Sequence, residues 1–336
     1  MKYKALVTAE LDIDVLRQMV PDIEFDVAGY QVDHIVMEST ELEKIIGGYD
    51  ILISEFETVT RKVIEKAVNL KYIICCRGGY RSVIDVDACK ERNIQIEHNA
   101  GRNAGAVSEI VMGYILDWSR NIHKSNDLIH NRVITSSSRN IPGEYKDSIW
   151  GFDNSSPYVA LRGRSISYMT LGLVGYGNVG RQVAEKASAF GMKILIYDPI
   201  DVSISTNEKI SRVSFDELLE KSDIVSLHCP VTATSKGMMS YDQFKKMKND
   251  SFFVNAARGG LVDEKALIWA LQNGEISGAA LDVTCNEPIR DDDPLLDAPN
   301  LVITPHIAGA SDEVVRKGTE MVIHKLINFL DMDLVM

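Results

Sequence analysis

The sequence predicts an α/β protein with two doubly wound parallel-sheet domains, and three observations carry that expectation. Short apolar runs alternate with helical stretches along most of the chain. A glycine-rich turn, Gly175-Tyr-Gly-Asn-Val-Gly180, stands between one such run and a helix. At 336 residues the chain is long enough for two hydrophobic cores.

Strand-like runs come first at 4–8, 23–27, 51–54, 72–76 and 94–97, with helical stretches between them, for example at 41–46, 61–67 and 87–92. That alternation indicates one parallel α/β unit. A helical pattern follows from about 103 to 122, with apolar Val107, Ile110, Val111, Tyr114, Ile115 and Trp118 at helical spacing, and reads as a connecting helix. Residues 124–166 show no period. They are rich in Ser, Asn and Arg and dotted with Pro142, Gly143, Gly151 and Pro157, which suits a functional loop or an arm that packs on another subunit. A second strand series runs through 169–174, 194–197, 224–228, 252–255, 278–282 and 301–304, and a helix over about 312–330 ends the chain.

The second series opens on a dinucleotide fingerprint. In G-x-G-x-x-G between a strand and a helix, Gly175 permits the tight turn, Gly177 lets backbone approach a pyrophosphate, and Gly180 lets the helix pack closely on the strand. Free N–H groups at the helix start then face phosphate oxygens. About twenty residues on, a strand ends in Asp198. A carboxylate there accepts hydrogen bonds from the ribose hydroxyls of NAD and repels the extra phosphate of NADP. No Arg follows closely in sequence, so the expected cofactor is NAD.

A net charge of −12 argues against nucleic acid, whose phosphates demand a basic face. The N-terminus lacks the apolar region of a signal peptide, and no apolar run would span a bilayer. The five cysteines, odd in number and without C-x-x-C, point to reduced thiols in a cytoplasmic protein and to no metal site. Cys75 and Cys76, adjacent on a strand, are expected to face opposite sides of the sheet as packing residues.

Downstream of the fingerprint lie Asn255-Ala-Ala-Arg-Gly-Gly-Leu-Val-Asp263, Asp282-Val-Thr-Cys-Asn-Glu-Pro288 and Thr304-Pro-His-Ile-Ala-Gly309. A guanidinium, a carboxylate and an imidazole beyond a dinucleotide site are the groups that hydride transfer to a 2-oxo acid requires. An imidazole suits the proton role because its ordinary pKa lies near neutrality. Of the seven histidines, His98, His228 and His306 fall at or just after strand ends, where open α/β sheets place their ligands, and the residues alone do not choose among them.

These motifs, with Val174-Gly-Tyr-Gly-Asn-Val-Gly180, Asp223-Ile-Val-Ser-Leu-His-Cys-Pro230 and their order, resemble the D-isomer-specific 2-hydroxyacid dehydrogenases over nearly the whole length. The resemblance implies two Rossmann-like domains: a substrate-binding domain from both chain ends, 1–101 and 304–336, and an inserted NAD-binding domain, 102–303, with the active site in the cleft between them. It implies NAD-dependent interconversion of a D-2-hydroxy acid and its 2-oxo acid. His306 is then the acid–base residue, Glu287 its partner that fixes the tautomer and stabilises the imidazolium, and Arg258 the carboxylate clamp. Further NAD contacts are implied at Asn178, Val179, Cys229, Pro230, Ala256, Ala257, Arg258, Asp282, His306, Ala308 and Gly309. Gly259 and Gly260 are expected to clear space for the cofactor and substrate.

One loop departs from the family pattern. Where Gly-x-Gly-x-Asp-Asn-x-Asp is usual, this chain has Arg77-Gly-Gly-Tyr-Arg-Ser-Val-Ile-Asp85. The loop's place in the family makes Arg77, Gly78 and Gly79 substrate-binding candidates. Arg77, Arg81 and Arg102 nearby suggest a second anionic group, as in a phosphorylated or sugar acid such as 3-phosphoglycerate. A different reading of the same fold is a non-enzymatic NAD-sensing co-repressor. The apolar helix beside the period-free segment suggests a homodimer joined through the cofactor domains.

Overall fold

The computed structural model describes residues 3–134, 157–200 and 209–333. Pro142, Gly143 and Gly151 of the period-free stretch lie outside the described residues. The chain forms two compact units, Met1–Ala106 with Ala310–Met336, and Val107–Gly309. Each is built on a parallel sheet, as the alternation of apolar runs and helices predicts.

In the first unit, β1 (Tyr3–Val7), β2 (Ile23–Val27), β3 (Ile51–Ser54), β4 (Tyr72–Cys75) and β5 (Gln95–His98) lie in the order β2-β1-β3-β4-β5. Successive strand residues face opposite sides, so the sheet feeds two cores. Ala5, Val7, Ile53 and Ile74 pack with Val322, Leu326 and Phe329 of the final helix, Asp312–Asp333. Leu6, Leu52 and Ile73 pack on the other side with Val63, Ile64 and Ala88. Cys76 belongs to the first of these cores and Cys75 to the second, and burial pushes both thiols above their ordinary pKa.

The second unit carries β6 (Thr170–Val174), β7 (Lys193–Tyr197), β8 (Ile210–Arg212), β9 (Ile224–Leu227), β10 (Phe252–Asn255), β11 (Gly278–Leu281) and β12 (Leu301–Ile303). Their order is β12-β11-β10-β9-β6-β7-β8. Progression along the sheet reverses between β6 and β9, and doubly wound sheets bind ligands at that switch point, beyond the strands' carboxyl ends. The edge strand β8 is not among the sequence expectations. At three residues, with Ser211 between Ile210 and Arg212, it offers no apolar run to read.

The expected connecting helix spans Ala104–Arg120 and buries Val107, Val111, Tyr114 and Ile115 in the second unit's core, while Trp118 stacks on Phe252 with ring centroids 4.8 Å apart. It stops where Asn121 takes the left-handed conformation (φ 54°), a break that asparagine tolerates well. Among the described residues no helix is long and apolar enough to cross a membrane, and no cluster of His, Cys, Asp or Glu could hold a metal ion.

Candidate active site

The fingerprint glycines sit at the switch point. Gly175 adopts φ +100°, and a Cβ there would lie 2.7 Å from the carbonyl carbon and oxygen of His228. At Gly180 a Cβ would come within 2.3 Å of the Gly175 oxygen, so strand and helix approach as closely as backbone allows. Gly177 differs: a Cβ would meet nothing within 4 Å, which leaves its face open. The helix Asn178–Ala189 starts there without a side-chain cap, and its first amides remain available to an outside acceptor. An open glycine face before an uncapped helix fits the pyrophosphate of a dinucleotide.

Asp198 follows β7 as expected. Its Oδ2 accepts from the Tyr176 amide at 2.8 Å and its Oδ1 from the Ile200 amide at 2.9 Å, so the carboxylate is fixed beside the fingerprint turn. The unforeseen strand β8 brings Arg212 to the same corner, where its guanidinium donates to the Asp198 and Ile200 carbonyls, each at 2.8 Å. No arginine follows Asp198 closely in sequence; the fold supplies one from the neighbouring strand.

Structure separates the three histidines that the residues alone left equal. His98 ends β5 and packs its ring on Tyr80 at 4.7 Å. His228 follows β9 under the fingerprint turn, with Nε2 2.9 Å from Ser226 Oγ and Nδ1 shielded from solvent without a partner. Burial lowers its pKa to about 3, which leaves it a neutral packing residue near pH 7. His306 follows β12, is exposed, and places Nδ1 2.8 Å from Glu287 Oε2, with its other ring nitrogen left for a substrate.

The three catalytic candidates follow three adjacent strands. Arg258, Glu287 and His306 lie beyond the carboxyl ends of β10, β11 and β12, which pair side by side. Glu287 is oriented from its other oxygen, which accepts from the Thr284 amide at 3.1 Å. Buried Asn255 clamps the turn before Arg258: its Oδ1 accepts from Ala257 N at 3.1 Å and its Nδ2 donates to Arg258 O at 2.9 Å. This is local side-chain-to-backbone bonding of the kind asparagine favours. The Arg258 side chain is exposed, and among the described residues its guanidinium donates only to the neighbouring Ala257 carbonyl. Asp263, the carboxylate best placed in sequence to pair with it, instead caps the helix Glu264–Gln272 through Lys265 N and Ala266 N and accepts from Ser240.

Gly259 has a packing role that the sequence did not indicate. A Cβ there would lie 2.1 Å from the Thr284 carbonyl oxygen, so the residue lets the Arg258 turn pack directly on the loop that carries Glu287. Gly260 is less crowded, with Val231 methyls 3.5 Å or more away.

Asp282 is 1% exposed and fully engaged with the chain around His306. Oδ1 accepts from Thr304 Oγ1 at 2.6 Å and Ile307 N at 2.9 Å, Oδ2 from Ala308 N at 2.9 Å, and its carbonyl from His306 N at 2.8 Å. Ala256 and Ala308 are buried, and Ala257 is half-buried. Cys229 directs its thiol to Met238 Sδ at 3.8 Å, and the Pro230 carbonyl accepts from Ser235. Asn178 and Val179 open the fingerprint helix, and Gly309 ends the His306 turn. The roles of Asn255, Thr284 and Thr304 were missed. For Asn255 and Thr284 the signal was present, since each bonds a group two or three residues away.

In the first unit, Arg77, Gly78 and Gly79 follow β4, and both glycines are exposed. The Arg77 guanidinium lies 5.6 Å from the Phe56 ring centroid, and Phe56 in turn packs edge-on against Tyr30 at 4.7 Å. Arg81 is exposed over Tyr80. Arg102 does not join them as a candidate for a second anion. It is half-buried in an ion pair with Glu55, and desolvation pulls its pKa down to about 10.

A family model described as D-isomer specific 2-hydroxyacid dehydrogenase, NAD binding domain, matches residues 112–308. A hydroxypyruvate reductase of Thermotoga maritima is 35% identical over 325 residues, which cover 96% of each chain. A D-3-phosphoglycerate dehydrogenase of Methanocaldococcus jannaschii is 34% identical, over 95% of this chain and 56% of its own. Among solved structures, an acyclic imino acid reductase in complex with NADPH and D-Arg superimposes with a TM-score of 0.77 at 26% identity, covering 98% of this chain and 97% of its own. A D-lactate dehydrogenase from Lactobacillus jensenii with NAD+ gives 0.74 at 25% identity, over 96% of each.

Proposed function

The chain belongs to the D-isomer-specific 2-hydroxyacid dehydrogenase family, and we propose that it interconverts a 2-oxo acid and the D-2-hydroxy acid with NAD, on substrates bearing a hydroxyl or phosphate beyond the reacting carbon. The observation that carries this is the 2.8 Å Glu287–His306 contact, between the loops beyond the paired strands β11 and β12, with Arg258 beyond β10 on the other side of β11. When bound, the dinucleotide supplies or takes the hydride. His306 donates the proton to the carbonyl oxygen in reduction and removes it in oxidation, and Glu287 holds the ring with Nδ1 occupied so that Nε2 does this work. Arg258 has no carboxylate partner among the described residues, and its planar fork suits the substrate carboxylate and the carbonyl beside it.

The same reading assigns NAD binding to the fingerprint residues, Asp198 and the loops of Cys229–Pro230, Ala256–Ala257, Asp282 and Ala308–Gly309. It assigns 102–303 as the cofactor domain, and 1–101 with 304–336 as the substrate domain, with Arg77, Gly78 and Gly79 on the substrate. It takes the protein to be a homodimer joined through the cofactor domains, to which the exposed Ile122, Ile129, Tyr158 and Tyr168 of the second unit are suited.

The test is turnover of NADH with hydroxypyruvate, its 3-phosphate, glyoxylate and pyruvate. Reduction of the first two in preference to pyruvate is expected, and turnover of none of the four would sink the reading. NADPH should serve poorly beside Asp198, and equal efficiency with both cofactors would remove that residue from its role.

A further inference from the structure

We infer that Tyr114 and Thr304 are positioning residues for His306, acting through the buried carboxylate of Asp282. The inference rests on the assignment of His306 as the acid–base residue and adds two groups that never touch the reacting atoms.

His306 adopts φ +56°, a left-handed conformation that residues with a Cβ rarely take and that persists only when its surroundings hold it. The holding comes from Asp282. Its carbonyl accepts from His306 N, and its carboxylate accepts from the next two amides, Ile307 N and Ala308 N. His306 and the two residues after it are therefore tied to one residue, His306 through the Asp282 backbone carbonyl and the next two amides through its carboxylate. Glu287 fixes the imidazole ring; Asp282 fixes the backbone that carries it.

The carboxylate in turn needs an anchor, and Thr304 provides it. Its hydroxyl donates to Asp282 Oδ1 at 2.6 Å, two residues before His306. Because that hydroxyl spends its proton on the carboxylate, the hydrogen bond between Thr304 Oγ1 and the Tyr114 hydroxyl must run from tyrosine to threonine. The result is an ordered chain, Tyr114 O–H to Thr304 O–H to Asp282, from the long helix to the catalytic turn. Phenylalanine would fill the apolar helix face at 114 equally well, so packing alone does not account for the hydroxyl. Burial and the nearby Asp282 charge push the phenol up to about 12, although its bond to Thr304 opposes the rise, so it stays a donor at every working pH. A rigid anchor matters because proton transfer requires placement to within a fraction of an ångström, and small displacements of a catalytic group cost orders of magnitude in rate.

The experiment compares Thr304→Val, Thr304→Ser and Tyr114→Phe with the unaltered enzyme, and repeats Thr304→Val in a His306→Ala background. Turnover is read with NADH and whichever 2-oxo acid of the panel is reduced fastest, NADH affinity by fluorescence, and folding by thermal melting. Thr304→Val should lower kcat about tenfold or more, and Tyr114→Phe by a few-fold, with NADH affinity falling much less than kcat. Thr304→Ser should restore most of the rate, and Thr304→Val should cost nothing further once His306 is gone. Wild-type kcat in both Thr304→Val and Tyr114→Phe, or a Thr304→Val loss that persists undiminished in the His306→Ala background, would overturn the inference. Tyr114→Phe keeps the test open if Thr304→Val does not fold. Normal turnover in His306→Ala by itself would instead refute the assignment beneath it.

Discussion

Both units end their parallel strands in loops that carry charge, yet the two sets of loops are organised differently. In the second unit the turns beyond β10, β11 and β12 are tied to one another: Asn255 clamps the Arg258 turn, Gly259 packs against Thr284, and Asp282 and Glu287 hold His306 from two sides. In the first unit the charged groups are tied inward. Arg102 spends its charge on Glu55, Glu57 accepts from Thr8 Oγ1 at 2.7 Å, and Arg77 rests on an aromatic ring. Convergent chemistry held by short bonds is what any substrate of the family needs, whereas a surface of packed rings and a stray cation is suited to telling substrates apart. The contrast predicts that changes in the second unit lower turnover of every substrate, and that changes in the first alter the choice among them.

The sharpest way to break that contrast is His306→Ala. Acid–base groups contribute on the order of 10²–10⁴-fold, so kcat should fall by that much for all substrates while NADH affinity holds. Activity that survives with one substrate and not another would place specificity in the wrong unit. Arg258→Ala comes next. An arginine that grips the carboxylate before and during reaction should raise KM as well as lower kcat, with kcat/KM down roughly 10²-fold or more across the panel. A drop in kcat alone would mean that it acts only in the transition state.

The difference between the units also marks how far the sequence was legible. The sheets were readable almost strand by strand, because buried parallel strands announce themselves as apolar runs, and only β8, short and at an edge, escaped. The chemistry left a local signal where a group and its partner are neighbours in the chain, as with Asn255 and Ala257 or Glu287 and Thr284, although those roles were not drawn from it. It was illegible where folding joins distant residues. Tyr114 and Thr304 are 190 positions apart, and Arg102 looked like a free cation until the fold set it against Glu55, 47 positions away. The motif led to His306, but nothing in the sequence of His228 revealed that it would be shielded beneath a glycine turn.

That shielding gives a smaller, pH-dependent effect confined to the second unit. The pKa of folded His228 lies near 3, below the roughly 6.5 of an unfolded histidine. Between those values the unfolded chain binds a proton that the folded chain refuses, so stability is full above about pH 6.5 and falls as the pH drops towards 3. The slope should be on the order of 1 kcal/mol per pH unit from this residue. Melting temperatures taken near pH 7 and near pH 5 should differ less in His228→Asn than in the unaltered protein. An equal acid sensitivity in both would show that His228 already takes up its proton in the folded state.

The smallest expected change tests the first unit directly. Arg77 follows β4 with its guanidinium over Phe56, and among the described residues no carboxylate stands within ion-pair distance of it. A partly exposed arginine meeting one phosphate is worth about 1 kcal/mol, which corresponds to roughly fivefold to tenfold in kcat/KM. Arg77→Ala should therefore lose about that much on 3-phosphohydroxypyruvate and almost nothing on hydroxypyruvate, because the two differ only in the group that the arginine would meet. The ratio of the two efficiencies, measured on one preparation, cancels any general loss from the substitution. An equal fall on both substrates would make Arg77 part of the machinery common to all of them, and the contrast between the units would then be one of rigidity and not of task. No fall on either would show that Arg77 meets neither substrate and remove it from the substrate-binding residues.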